Sequence, residues 1–259
     1  MKPPPNLREI LKSKGLEDLG RELNLIPTHT QEWLSKFISI TGYIDLLKRR
    51  VEYLSIKTEP VLIHGESGTG KEIIAQALHG DREGNFVPVN CAALDNDLCV
   101  AELFGHNKGT FTGADTDKPG LFEAAQHGTI FLDEISKCPL RIQAQLHRAV
   151  QERKVRRIGG HKEIPINFRV ICATNEDLEQ KVKDNLFYED LYWRIAGYTL
   201  YIPPLRERRD DIREIIDATC DTHHILTEEF LATLDTLELR GNVRELQARV
   251  RHEKMLRLI

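Results

Sequence analysis

The spacing of apolar positions changes along this chain, and the changes mark out its organisation. From Tyr43, Leu46, Leu47, Val51 and Leu54 recur at helical spacing and lead into the short apolar run Val61-Leu62-Ile63, which predicts a strand. Helical and extended patterns then alternate. A helix over about 72–79 is followed by the strand Phe86-Val87-Pro88-Val89, a segment around Leu103 and the strand Thr129–Leu132. A helix over about 141–152 and the strand Arg169-Val170-Ile171-Cys172 complete the series. Such alternation predicts a parallel sheet covered by helices on both faces. Beyond Pro203-Pro204 the pattern is helical only, through Ile212, Ile215, Ile216, Phe230, Leu231 and Leu234, and predicts a small all-helical lid. Ahead of Tyr43, Pro3-Pro4-Pro5 opens an extended tip. Leu7, Ile10 and Leu11, then Leu16, Leu19 and Leu23, follow helical spacing, and Thr30 is positioned to cap a helix carrying Trp33, Leu34 and Phe37. The chain therefore divides into a helical extension over 1–42 packed on the core, an α/β domain over 43–203 and a helical lid over 204–259.

Charge and composition narrow the classes. Thirty-six Lys and Arg against 40 Asp and Glu give a net charge of −4, which provides no global footprint for nucleic acid, although a local basic element remains compatible with it. The cysteines, Cys91, Cys99, Cys138, Cys172 and Cys220, are odd in number and lack Cys-x-x-Cys spacing, which suits buried thiols in a reducing compartment. The histidines have no metal-ligand spacing, and the adjacent pair His223-His224 suits a solvated surface. Met1-Lys2 is followed by prolines rather than an apolar run, and no window reaches the ~18 apolar residues of a membrane span. The expectation is a cytoplasmic protein without membrane contact.

The candidate chemistry sits at the ends of predicted strands. Gly65-Glu66-Ser67-Gly68-Thr69-Gly70-Lys71 fits G-x-x-x-x-G-K between a strand and a helix. Its glycines let backbone N–H groups turn toward phosphate oxygens, the helix N-terminus adds positive dipole, and Lys71 would bridge the terminal phosphates. Glu72 stands where a Ser or Thr ligand to Mg²⁺ is usual, so magnesium would rest on phosphates, waters and Asp133. Asp133 and Glu134 end the strand Ile130-Phe131-Leu132, where ligands bind in open α/β sheets. Asp133 would hold the Mg²⁺ shell, and Glu134 would orient or deprotonate the attacking water. Asn175 ends the next strand and would put an amide beside the γ-phosphate. Asn90 also follows a strand and, taken alone, suits a turn cap.

Between the two halves of this site lies Gly109-Thr110-Phe111-Thr112-Gly113-Ala114. Together with GESGTGKE at 65–72, this stretch resembles the AAA+ ATPase domain of bacterial sigma-54-dependent transcription activators, and the resemblance runs from about Ile40 to the C-terminus. It implies binding and hydrolysis of ATP with Mg²⁺ in a homo-oligomeric ring, typically a hexamer. It also implies contact of Phe111 and Thr112 with the sigma-54 factor of RNA polymerase, with Phe111 as an exposed apolar tip. By the same resemblance Asn90 pairs with Glu134, Thr174 and Asn175 form the first sensor, and Arg244 of Gly241-Asn242-Val243-Arg244-Glu245-Leu246 reaches the phosphates as the second. Gln151–Lys162 is similar to a second loop near the ring pore, or is a solvated charged face.

The departures are specific. Thr110 stands where the family has Ala, Leu239-Arg240 where it has Trp-Pro, and Tyr188 where it has the first of two arginines. Arg194 then remains as the candidate arginine finger completing a neighbour's site, with a salt bridge to Asp190 as the structural alternative. Most relatives continue into a helix-turn-helix domain, so the chain is expected to lack sequence-specific DNA binding of its own. The function implied is a motor that remodels sigma-54 RNA polymerase. The rivals are an ATPase acting on another protein client and a slowly hydrolysing, ATP-dependent assembly switch.

Overall fold

The computed structural model describes residues 26–39, 41–220 and 226–257. The apolar positions from Leu7 to Leu23 and the His223-His224 pair lie outside them. Two helices, α1 (Thr28–Lys36) and α2 (Gly42–Ser55), precede strand β1 (Val61–His64) and helix α3 (Lys71–His79). Strand β2 (Phe86–Asn90) leads through a 3₁₀ turn at Cys91–Ala93 into α4 (Asp97–Phe104), whose N-terminus is capped by the Asn96 side chain accepting from the Cys99 N–H. Next come a small hairpin, β3 (Gly105–His106) with β4 (Lys118–Pro119), then α5 (Leu121–Ala124) and β5 (Thr129–Asp133). Helix α6 (Leu140–Glu152) is followed by a second hairpin, β6 (Lys154–Arg156) with β7 (Glu163–Pro165), and by β8 (Arg169–Thr174). Helices α7 (Leu178–Lys183) and α8 (Glu189–Ile195) precede β9 (Tyr198–Tyr201). The remaining helices are α9 (Asp211–Thr219), α10 (Glu228–Thr236) and α11 (Asn242–Arg257).

Five strands make one parallel sheet in the order β2-β5-β8-β1-β9. Alternation along the strands sends side chains to opposite faces. Leu62, Ile130, Leu132, Val170 and Cys172 enter one apolar cluster with residues of α4, α6 and α8. Val61, Ile63, Phe131, Ile171 and Ala173 enter a second with residues of α1, α2 and α3. Burying each such large side chain contributes about 1.5–3 kcal/mol, so coverage of both faces is what holds the sheet. The predicted parallel sheet between two helical layers is therefore observed. Helix α1 packs on α3, where the buried Thr30 hydroxyl donates to the Ala77 carbonyl at 2.8 Å. Edge strand β2 carries an exposed proline, Pro88, at its centre.

A third apolar cluster, with Leu205, Ile212, Ile216, Leu234, Leu246 and Val250, belongs to the C-terminal helices, and Ile38 packs against it from the other end of the described chain. Sheet and lid meet at the carboxyl ends of β1, β5 and β8.

Candidate nucleotide site and projecting loop

The turn after β1 is tied to the sheet by the Gly65 N–H, which donates to the Thr174 carbonyl at 3.1 Å. Gly68 (φ 77°) and Gly70 (φ 103°) adopt left-handed backbone that favours glycine. Space demands glycine as well. A Cβ on Gly68 would lie 2.3 Å from the Gly241 carbonyl oxygen, and one on Gly70 would lie 2.8 Å from the Phe37 ring. The Thr69 hydroxyl donates to the Glu66 carbonyl at 2.8 Å. Lys71 opens α3 and folds back across the loop, donating to the carbonyls of Gly65 (2.8 Å) and Glu66 (3.0 Å). Burial pushes its ammonium pKa down, opposed by the charges of Asp133 and Glu134.

Asp133 ends β5, and its Oδ1 accepts from the Glu134 N–H at 2.9 Å. Glu134 has φ 53°, an uncommon value for a non-glycine residue, and begins the 3₁₀ turn Ile135–Lys137. Lys71, Asp133, Glu134 and Arg244 line one cleft of about 340 Å³ together with Ser67–Gly70 and Glu72. Among the described residues no group of three or more His, Cys, Asp or Glu is gathered as a cation cage, so a metal here would have to share its shell with ligand oxygens.

Asn90 and Asp133 are register partners on β2 and β5. The Asn90 Oδ1 accepts from the Ala92 N–H at 3.0 Å, the turn cap expected from its sequence position alone. Asn175 is exposed just past β8, in an adjoining cleft with Glu66, Ser67 and Arg206. Thr174 turns its hydroxyl to accept from the Glu176 N–H. Arg244 extends from the start of α11 toward the loop, with Nη1 3.4 Å from the Ser67 hydroxyl.

The sequence reading missed one wall of this cleft. Phe37 and Ile38 from the connection after α1, Ile215 and Thr219 from α9, and Val243 and Gln247 from α11 form it, with Arg208 beside them. The Arg208 guanidinium stands 5.3 Å over the Phe37 ring, is buried with Asp211 in an ion pair of 3.2 Å, and reaches the Thr69 carbonyl at 3.4 Å. Apart from Val243, inside Gly241–Leu246, these residues carry no motif. The helical spacing of Trp33, Leu34 and Phe37, and of Ile212, Ile215 and Ile216, marks two of the buried faces.

Arg194 lies on α8, exposed, and among the described residues it makes no ion pair with Asp190. The Asp190 carboxylate instead lies near Tyr188, and its negative charge raises the Tyr188 pKa. The Tyr188 ring packs edge-on to His147 at 5.6 Å.

The glycine-bracketed loop is the excursion between β3 and β4. Gly109 (φ 81°) and Gly113 (φ 98°) turn it, and the Gly109 N–H donates to the Ala114 carbonyl at 2.8 Å. Phe111 is not the exposed tip that the sequence suggested. Its ring is half-buried, 4.9 Å from His106, and the exposed end of the loop is Thr112-Gly113. The reason is local: the turn closed by the Ala114 N–H onto the Phe111 carbonyl folds the ring back on the hairpin. The second hairpin supports the first. The Asn107 N–H donates to the Ile158 carbonyl (3.0 Å), the Ile158 N–H to the Gly105 carbonyl (2.9 Å), and Arg157 grips Glu123 through two bonds of 2.9 and 2.8 Å. Of the basic residues in that hairpin, Lys154 and Arg156 are paired with Glu163.

A parallel sheet of this strand order, with a phosphate-type loop after β1, a strand ending in Asp-Glu and C-terminal helices against the loop, defines an AAA+ nucleotide-binding ATPase fold. The profile of the sigma-54 interaction domain matches residues 39–201, and the chain belongs to that family of transcription activators. It is 40% identical over 251 residues to the regulatory protein AtoC of Escherichia coli, covering 93% of this chain and 54% of AtoC. It is 47% identical over 203 residues to the sigma54-dependent transcriptional activator SfnR of Pseudomonas putida, covering 74% of this chain and 56% of SfnR. The structure of NtrX from Brucella abortus in complex with ATP superposes with a TM-score of 0.75 at 26% identity, over 98% of this chain and 57% of NtrX. The chain thus spans about half the length of these relatives. No helix among the described residues is long and apolar enough to cross a membrane.

Proposed function

We propose that the chain binds and hydrolyses ATP with Mg²⁺ as a AAA+ ring motor and uses the loop at 109–114 to remodel a complex of sigma-54 factor with RNA polymerase. The observation that carries this is the convergence of Lys71, Asp133, Glu134 and Arg244 on one cleft, while Thr112 is exposed at the end of a separate, braced loop. The apolar wall of Phe37, Ile38, Ile215 and Val243 suits a purine base, and the loop N–H groups suit the phosphates. Asp133 and the nucleotide oxygens would hold Mg²⁺, which neutralises charge on the transferred phosphoryl group. Glu134 would orient and deprotonate the attacking water, and Asn175 and Arg244 would bind terminal phosphate oxygens. Arg194, exposed and unpaired with Asp190, would complete the site of a neighbouring subunit. Asn90, beside Asp133, would report the nucleotide state once its cap on Ala92 yields to Glu134.

One observation favours a second reading, a slow assembly switch. Tyr188 stands where the family has an arginine and packs edge-on to His147, so one cation would be lost from each subunit boundary. Turnover and capture of a purified sigma-54 factor, measured with and without a transition-state analogue of ATP, test both. The motor requires multiple turnovers and analogue-dependent capture that Thr112→Ala abolishes. Turnover without capture transfers the motor to another client, and binding without turnover supports the switch.

A further inference from the structure

We infer that the lid is a working part of the phosphate site: Asn242 and its neighbours hold the carbonyls of the glycine loop outward, so that the N–H groups of Gly68 and Gly70 face the cleft. The inference rests on the reading of 65–71 as a nucleotide loop, and it makes Asn242 a positioning residue that acts through the loop backbone. A peptide plane that aims its N–H at a phosphate aims its C=O the other way, and a buried C=O needs a donor. Three successive carbonyls of the loop find theirs beyond residue 203. Ser67 accepts from Asn242 Nδ2 at 3.0 Å, Gly68 from the Val243 N–H at 3.1 Å and Thr69 from Arg208 Nη2 at 3.4 Å.

Asn242 is the centre of this arrangement. It is fully buried, with φ 53°, and its Oδ1 accepts from the Leu205 N–H at 2.6 Å. Its Nδ2 also lies 3.2 Å from Glu66 Oε2 and 3.2 Å from the Arg240 carbonyl. All three of these Nδ2 partners are acceptors, so only the amide nitrogen can face them, and only a carboxamide supplies that nitrogen together with an acceptor for Leu205. Glu66 is in turn held by Arg206 through two bonds of 2.8 and 2.6 Å, and Gly68 closes directly onto the Gly241 carbonyl. Arg244 acts differently, since it reaches into the cleft and meets the loop at a side chain, Ser67.

The test is equilibrium binding and dissociation of a fluorescent ATP analogue, with melting temperature measured on every variant. Asn242→Asp keeps the acceptor for Leu205 and loses the donors. Asn242→Gly accepts the positive φ and is the variant expected to fold if the aspartate does not. Each is expected to bind at least about tenfold more weakly, mainly through faster dissociation, with faster amide exchange across 65–70 in the nucleotide-free protein. Val250→Ala, in the lid core, should lower the melting temperature while affinity stays within about twofold, because it touches none of these bonds. Undiminished affinity in both Asn242 variants overturns the inference, and so does an equal loss in Val250→Ala. Wild-type protein that fails to bind the analogue sinks the nucleotide reading itself, and this inference with it.

Discussion

At the scale of single residues, the chemistry concentrates where backbone and burial are costly. Glu134 sits at φ 53° beyond a strand buried from Thr129 to Leu132, and Lys71 is drawn into the loop it would use. Lys71→Ala is expected to abolish ATP binding in a filter or fluorescence assay. Glu134→Ala should keep binding and lose about 10²-fold or more in turnover. Undiminished turnover in Glu134→Ala would reassign the catalytic carboxylate. His79 offers a test by pH. It is buried against Thr129, with Nδ1 2.9 Å from the hydroxyl, and burial pushes its pKa down to about 4. The unfolded chain takes up this proton near the ordinary value of about 6.5, and the folded one only near 4. Unfolding therefore binds a proton between these values, so stability falls as pH drops from about 6.5 to 4 and is unaffected by this group above that window. His79→Gln should flatten the change in urea midpoint between pH 7 and 4.5. That Lys71, Asp133 and Glu134 would share a cleft was legible from the loop motif and the strand end, and Arg244 from the family resemblance. Arg208 and the contacts of Phe37 and Asn242 were not, because their partners lie far away in the chain and only folding brings them together.

At the scale of elements, the hairpin that presents Thr112 is separate from the main core. Phe111 leans on His106 within that hairpin, so Phe111→Ala removes roughly half of the ~3–5 kcal/mol that a fully buried Phe would contribute, and removes it locally. The expected outcome is a small fall in melting temperature, near-normal ATP turnover and lost capture of sigma-54 factor. Thr112→Ala should lose capture with no fall at all. Joint collapse of melting temperature and turnover in Phe111→Ala would instead put the ring in the core. The long alternation of helices and strands was legible because each buried strand and amphipathic helix repeats its period several times. The strands of the two hairpins were not: β3 and β4 have two residues each and β6 and β7 three, too few to establish a period. Strand β9 was hidden for another reason, since at the sheet edge it buries Leu200 alone and exposes both tyrosines.

At the scale of the whole molecule, the proposed finger Arg194 is useful only to another copy. Specific activity should therefore rise with protein concentration. Arg194→Ala subunits mixed with Lys71→Ala subunits should recover part of the activity that each lacks alone, measured as ATP turnover of the co-assembled mixture. No recovery despite demonstrated co-assembly would make Arg194 structural. The all-helical character of the chain beyond the sheet could be read from the change in apolar period after Pro203. Their intimacy could not, because a pattern of helices does not say which loop they touch. Pro88 has a consequence at this scale. Copies gathered in the proposed ring would bring their sheet margins to high local concentration, and an unpaired strand margin invites another chain to zip onto it. A proline at the middle of β2 has no N–H to offer, so that margin is a poor template. In the proposed ring, subunits would thereby be left to meet through side chains, which could part again after each cycle, rather than through a shared ladder that would fuse them.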